Sequence, residues 1–285
     1  MRPSIIIILL ILAAIIWGIK RYSAKARRNR LFQKPLSPEQ ITVLENSVPL
    51  YTRLPEDLRQ TLQGCINYFL DEKVFVGQEG LEITDEIRLI IAANACMLIV
   101  NNRKRYFSGF ETIIIYPDTY IAKEVSYDGM VEVHKDVARA GESWYRGPIV
   151  LSLTDVVRGS DNVQDGHNVV LHEFAHKLDE ENGVMDGLPV LRESAHYKEW
   201  AEVLTREYDE FLDRVNRGNN RLIDEYGSVS APEFFAVATE SFFEKSDQMR
   251  NGLPELYKQL QTFYGLDPAE WKHRKNNHTF PTSQA

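Results

Sequence analysis

Residues 168–179 read NVVLHEFAHKLD, and this stretch decides the fold class that we expect for the chain. Two histidines four residues apart on a helix project from one face, so the rings of His172 and His176 can reach one metal ion. Glu173 follows the first histidine, at a position from which its carboxylate can reach a zinc-activated water. The stretch therefore predicts a zinc site on a buried helix. An ordinary buried helix with two capped histidines is the alternative.

The composition is that of a folded enzyme. The chain has 285 residues, of which 44% are hydrophobic and 26% are charged. The first 30 residues hold seven basic side chains and no acid, and the remainder carries 26 basic against 41 acidic side chains. Such an acidic body argues against a nucleic-acid partner, which would require a basic face. Two cysteines give no disulfide framework.

An apolar run, residues 3–19, opens the chain. As a helix it would extend about 26 Å, slightly less than the ~30 Å hydrocarbon core of a bilayer. We therefore expect one transmembrane anchor at residues 1–20 and a basic juxtamembrane linker at residues 21–40. Because the positive charges follow the run, the positive-inside rule predicts a single-pass protein of the inner membrane with its body in the cytoplasm. A cleaved signal peptide is the alternative.

Residues 41–272 are expected to form one α+β domain. Helical patterns come first, short apolar runs typical of strands follow, and the metal helix comes next, so we expect a mostly helical body with a small mixed sheet. Residues 148–152 are the candidate edge strand beside the cleft, where extended substrate could pair. A central core strand is the alternative for that segment. Residues 273–285 are polar and are predicted to be a disordered tail.

A catalytic zinc normally takes three protein ligands, so the histidine pair needs a third. The metzincin pattern requires Gly and His where this chain has Asp179 and Asn182, which excludes that class. Asp179 is expected to orient a ligand imidazole or to form a local ion pair. Glu233 and Glu240, on a later apolar helix, are the candidate third ligands. Glu233 could instead complete a capping box with Ser230, and Glu240 could pair with a lysine or histidine, so the residues leave the choice open.

Three separated blocks resemble one family in the same order. They are the metal helix, residues 183–189 (GVMDGLP), and residues 226–237, which begin with Tyr226 and end in PEFFAV. The set resembles the Mlc titration factor A family of glucose-regulated metallopeptidases, bacterial zinc peptidases related to the catalytic domain of anthrax lethal factor. The resemblance covers roughly residues 35–275. It implies a zincin-like fold and one Zn²⁺ per chain, with Glu233 as the third ligand and Tyr226 near the metal.

The same resemblance implies a function. It indicates a peptidase with aminopeptidase-type activity on peptide or protein substrates, in which Glu173 takes a proton from the attacking water and delivers it to the leaving amine. Tyr226 could donate to the developing oxyanion. The resemblance also implies binding of an Mlc-type transcriptional repressor. A non-catalytic protein that sequesters such a repressor is the alternative function, and a zinc hydrolase of non-peptide amides is a third.

Overall fold

The structure is a computed structural model of the chain. It describes residues 3–102, 106–118, 120–128, 131–139, 141–143, 147–162, 164–220 and 222–271. The predicted disordered tail, residues 273–285, lies outside the described residues.

Helices make up most of the described chain. They are α1 (Pro3–Gln33), α2 (Pro38–Ser47), α3 (Pro49–Arg53), α4 (Glu56–Glu72), α5 (Asp85–Met97), α6 (Leu153–Asp161), α7 (Val169–Asp179), α8 (His196–Asn216), α9 (Ala231–Glu244), α10 (Ser246–Gly252) and α11 (Pro254–Tyr264). The strands are β1 (Val74–Gly77), β2 (Thr112–Tyr116), β3 (Tyr120–Asp128), β4 (Val131–Arg139), β5 (Gly141–Ser143) and β6 (Ile149–Ser152). The predicted α+β class, with a mostly helical body and a small mixed sheet, is confirmed.

Four of the strands form the mixed sheet, in the order β1-β2-β6-β5. The first three are parallel, and β5 runs antiparallel to β6. Strands β3 and β4 form a separate antiparallel hairpin. The prediction that residues 148–152 form an edge strand is wrong, because β6 lies between β2 and β5. All four residues of β6 are buried, as is typical of a strand covered on both faces. Among the described strands, β5 occupies that edge of the sheet.

Helix caps account for where the helices of the site begin. The side chain of Asn168 accepts the backbone N–H of Leu171 at the start of α7. Ser230 accepts the N–H of Glu233 at the start of α9, where Pro232 occupies the first turn. Asn and Ser are favoured at this position because their short side chains satisfy an otherwise unpaired helical N–H. The cap predicted at Ser230 is thus confirmed, but Glu233 does not complete a capping box, because its carboxylate faces the histidine pair of α7.

An aromatic cluster fixes α7 within the core. The ring of Phe174 is fully buried, and its centroid lies 5.6 Å from that of Phe69, 4.9 Å from Phe107 and 5.8 Å from Phe110. Burial of a side chain of this size stabilises the fold by about 1.5–3 kcal/mol. Since Phe174 lies between the two histidines in sequence, movement of α7 along its axis would break these contacts. The core therefore fixes the position of the histidine pair.

The N-terminal helix corrects a further expectation. Among the residues that the structure describes, no helix is both long enough and apolar enough to span a bilayer. This finding overturns the predicted single-pass inner-membrane location and the orientation derived from it, and it gives no support to the predicted anchor at residues 1–20 or to the membrane partnership. The physical reason is the shortness of the apolar run, which would extend about 26 Å against the ~30 Å of a hydrocarbon core. Beyond it, α1 continues into basic residues that begin at Lys20. The helix then packs on α4.

Specific contacts hold the second half of α1 against the body. The ring of Phe32 packs against Tyr68 and Tyr106, with centroids 5.9 and 6.0 Å away. The guanidinium of Arg27 lies 2.7 Å from the carboxylate of Asp71 on α4. The segment predicted as a linker, residues 21–40, is thus helical as far as Gln33 and docked.

Gly64 on α4 permits the close approach of α1. A Cβ added there would lie 2.7 Å from the backbone oxygen of Phe32. We expect Gly64→Ala to lower the free energy of unfolding by about 1–2 kcal/mol, because overpacking outweighs the gain in helix propensity. Urea unfolding measures the change. Gly18→Ala is the matched control, since nothing lies within 4 Å of its added Cβ. An increase in stability for Gly64→Ala would contradict the docking of α1.

Candidate metal centre

Two neighbouring helices bring the predicted ligands together. His172, Glu173 and His176 lie on α7, and Glu233 lies in the first turn of α9, which packs beside α7. The cap at Ser230 determines where α9 begins and so places the Glu233 carboxylate opposite the histidine pair. The local sequence signals for both helix starts therefore also define the site.

Three atoms converge at the centre of this cluster. The Nε2 atom of His172 lies 3.0 Å from Oε2 of Glu233 and 3.2 Å from Nε2 of His176. The distance from Nε2 of His176 to Oε2 of Glu233 is 3.4 Å. A tetrahedral zinc with bonds of 2.0–2.1 Å would separate its ligand atoms by about 3.3 Å. Across the described ranges, only His172, His176 and Glu233 form a cluster of metal-ligating side chains. Their spacing could hold one metal ion without rearrangement.

Glu240, the other candidate ligand, contacts the opposite side of His172. Its Oε1 atom lies 2.8 Å from Nδ1 of His172, whereas Glu233 faces Nε2. Glu240 is therefore outside the cluster of three converging atoms. The structure instead pairs Glu240 with a histidine, which was the alternative for this residue.

The charges of the cluster depend on mutual hydrogen bonds. Burial alone would raise the pKa of Glu233, but hydrogen bonds to His172 and His176 outweigh it and hold that pKa well below its ordinary value. Burial would likewise lower the pKa of His172, but contacts with Glu233 and Glu240 raise it well above its ordinary value. Without metal, the cluster thus favours an imidazolium beside a carboxylate. Binding of a divalent cation would displace that proton.

Glu173 has an unusual environment. It is buried, and its Oε2 atom has no hydrogen-bond partner among the described residues. Burial raises the pKa of its carboxyl, and the neighbouring His172 and His176 oppose that shift. Buried carboxylate oxygens are normally paired, so an orphaned one beside a metal-ligating cluster fits a group that contacts a water or substrate atom. With two imidazoles and a carboxylate as donors, the residues present fit a zinc ion with an open position.

Tyr226 lies at the mouth of the site. It belongs to a short 3₁₀ helix, Glu225–Val229, and its ring centroid is 6.0 Å from that of His172. The side chain is 54% exposed, so it borders solvent as well as the cluster. Asp224 accepts the backbone N–H of Tyr226 and lies 3.0 Å from Nε2 of His167. No sequence pattern predicts this contact between Asp224 and His167, which links the turn that carries Tyr226 to the segment preceding α7.

Asp179 connects the two helices through a loop. Its Oδ2 atom accepts the backbone N–H of Gly187 at 2.8 Å. Gly187 has a φ of +80°, and a Cβ there would lie 2.9 Å from the backbone oxygen of Ala231. The loop is thus packed against the first residue of α9. In the described part of the chain, Asp179 bonds this backbone rather than an imidazole, which corrects the role expected for it.

These observations define a class of protein. Its members have a metallopeptidase-type site, built from a helical His-Glu-x-x-His motif and a carboxylate from a second helix. Residues 23–265 match the family described as glucose-regulated metallo-peptidase M90, and the chain belongs to this family. The family predicted from the three sequence blocks is confirmed. Membership supports a metallopeptidase-type function and a metal cofactor.

Similar proteins extend over most of the chain. An uncharacterized protein of Synechocystis sp. is 38% identical over 272 residues, which are 94% of this chain and 98% of that protein. A protein named Mlc titration factor A, from Escherichia coli O139:H28, is 32% identical over 235 residues, which are 81% of this chain and 88% of that protein. The family match, residues 23–265, includes both helices of the site.

The buried carboxyl of Asp179 should make stability depend on pH. Burial raises its pKa from 3.8 to about 6. The stability that the protonated form supplies is therefore fully present below pH 3.8 and is lost as the pH rises through about 6. Asp179→Asn keeps an oxygen acceptor for Gly187 but cannot ionise. Relative to the unsubstituted protein, it should gain up to about 3 kcal/mol between pH 4 and 7. Urea unfolding of the zinc-free proteins tests this, and a pH-independent difference would contradict it.

Proposed function

We propose that this protein is a zinc-dependent peptidase with a zincin-like site, in which His172, His176 and Glu233 hold one Zn²⁺. The observation that carries the proposal is the spacing of 3.0–3.4 Å among the two Nε2 atoms and the Glu233 oxygen. This spacing matches the separation of ligand atoms around a tetrahedral zinc, about 3.3 Å. Membership of a metallopeptidase family supports the same assignment.

Glu173 is the general base and then the general acid. When bound, zinc supplies a Lewis acid that makes water nucleophilic near neutral pH and polarises the scissile carbonyl. The unpaired Oε2 of Glu173 accepts the proton of the attacking water. The same carboxyl then delivers this proton to the leaving amine, so one side chain serves both proton transfers.

Tyr226 stabilises the developing oxyanion. Its ring lies beside His172 and remains half exposed, so its phenol can meet a substrate that enters from solvent. A donor held where negative charge develops favours the transition state over the ground state. The backbone bond to Asp224 holds the turn that carries Tyr226.

Peptide is the substrate class that the architecture favours. Strand β5 packs against α7, and its outer edge has no strand partner among the described residues. An extended peptide could add to this edge by backbone pairing and place its carbonyl near the metal helix. Aminopeptidase-like action on short peptides is our finer proposal. It rests on the resemblance of the metal helix and of residues 183–189 and 226–237.

Metal analysis paired with hydrolysis assays tests the proposal. We expect the full chain to bind one zinc and to cleave aminoacyl substrates with a free N-terminus, with a chelator abolishing the activity. Glu173→Gln is the matched variant. It should retain zinc and lose about 10²–10⁴-fold in rate, because it cannot accept the proton. Absence of zinc from the unsubstituted chain would sink the proposal, and cleavage of N-blocked substrates would point to an endopeptidase.

Removal of the Tyr226 hydroxyl should affect turnover selectively. We expect Tyr226→Phe to lower kcat by about 10²-fold with little change in KM, since the phenol acts in the transition state. Steady-state kinetics measure both constants. Unchanged kcat would remove Tyr226 from the mechanism.

Sequestration of an Mlc-type repressor is the second candidate function. The observation that favours it is the name of the relatives called Mlc titration factor A. In that case the chain binds the repressor as a non-catalytic partner, and the orphaned Glu173 carboxylate has no catalytic use. Chelator-sensitive hydrolysis by the unsubstituted chain that is lost in Glu173→Gln separates the two functions.

A further inference from the structure

Glu240 joins a proposed metal ligand to the start of the metal helix. Its Oε1 atom lies 2.8 Å from Nδ1 of His172. Its Oε2 atom accepts the backbone N–H of Asn168 at 2.5 Å. Asn168 is the residue that caps α7. Both oxygens of this buried carboxylate are therefore engaged, and the carboxylate cannot rotate without losing one bond.

The first of these bonds determines which nitrogen of His172 faces the metal cluster. A neutral imidazole carries one proton, and the ring nitrogen without it is the one that can bind a metal. A proton on Nδ1 donates to Glu240 and leaves Nε2 free toward Glu233 and His176. A carboxylate acceptor of this kind also fixes the orientation of the ring.

The second histidine has no such support. The Nδ1 atom of His176 is buried and has no hydrogen-bond partner in the described part of the chain. The orientation of the cluster therefore depends on His172 and on the carboxylate behind it.

We propose that Glu240 is a positioning residue that holds His172 in the orientation for metal binding while it secures the N-terminus of α7. This inference rests on the proposed function, because it takes His172 to be a zinc ligand. It extends that function because α9 then supplies two carboxylates. Glu233 lies at the metal cluster, and Glu240 lies behind the imidazole of His172.

Glutamine at position 240 tests this positioning role directly. Two groups face Glu240. The N–H of Asn168 is a donor, and Nδ1 of His172 is a donor in the tautomer that binds a metal through Nε2. A carboxylate accepts from both, but an amide has one oxygen acceptor and an NH₂ that would meet the other donor. Glu240→Gln therefore preserves size and must break one of the two bonds.

Glu244, one turn further along α9, supplies a matched control. It is as buried as Glu240, and its Oε1 atom lies 3.2 Å from Nδ2 of the same Asn168. No contact joins it to His172 among the described residues. Glu244→Gln thus perturbs the same buried network, which includes Asn94, without touching the imidazole.

The experiment measures the zinc affinity of the full chain by competition with a chromophoric chelator, beside the stability of each zinc-free protein in urea. We expect Glu240→Gln to weaken zinc binding by about 10–100-fold. Glu244→Gln should leave the affinity unchanged, whatever it does to stability. Unchanged affinity in Glu240→Gln, or an equal loss in Glu244→Gln, overturns the positioning role. An unsubstituted chain that binds no zinc overturns the proposed function itself.

A second measurement needs no substitution and covers the case in which Glu240→Gln fails to fold. In the ¹⁵N spectrum of the zinc-loaded unsubstituted protein, we expect a proton on Nδ1 of His172 that is protected from exchange with solvent. A deprotonated Nδ1, or a proton that exchanges as in a free imidazole, overturns the proposal.

Discussion

The position of the His172 ring between two carboxylates is the constraint on which the site depends. Glu233 meets one ring nitrogen and Glu240 meets the other, and both acids belong to α9. One imidazole of α7 thus fixes the register of the two helices. The loop from Asp179 to Gly187, packed against Ala231, supports the same pairing from the far end of α7. The sheet and the aromatic contacts of Phe174 then serve to hold α7 in place.

The local features of this site were predictable because they depend on spacing along one helix. The positions of His172, Glu173 and His176 follow from helical periodicity, and the start of α9 follows from Ser230 and its neighbours. The choice between Glu233 and Glu240 does not, because seven residues place both acids on one face of α9. The two nitrogens of an imidazole point in opposite directions, so each acid could reach the same ring. Only the register between helices decides which one faces the cluster.

Two features of the fold depend on contacts between segments that are distant in sequence. The apolar run before Lys20 has the character of a membrane span, but α1 continues to Gln33, and its second half packs on α4 beside Gly64. Hydropathy cannot report that tertiary contact. Order along the chain predicts β6 at an edge, yet β5 folds back beside it. The continuous apolar character of β6 was the signal for a covered strand.

The separation of the ligands along the chain has a consequence for how the site is assembled. His172 and Glu233 are 61 residues apart, with α8 between them. Since domains are synthesised from the N-terminus, a nascent chain exposes the two imidazoles before the carboxylate that completes the set has left the ribosome. Until α9 packs, the backbone N–H of the capping residue Asn168 also lacks its carboxylate partner. Full coordination is therefore a late event in folding. A chain truncated ahead of α9 would keep the His-Glu-x-x-His motif but would lack the third ligand, Glu233.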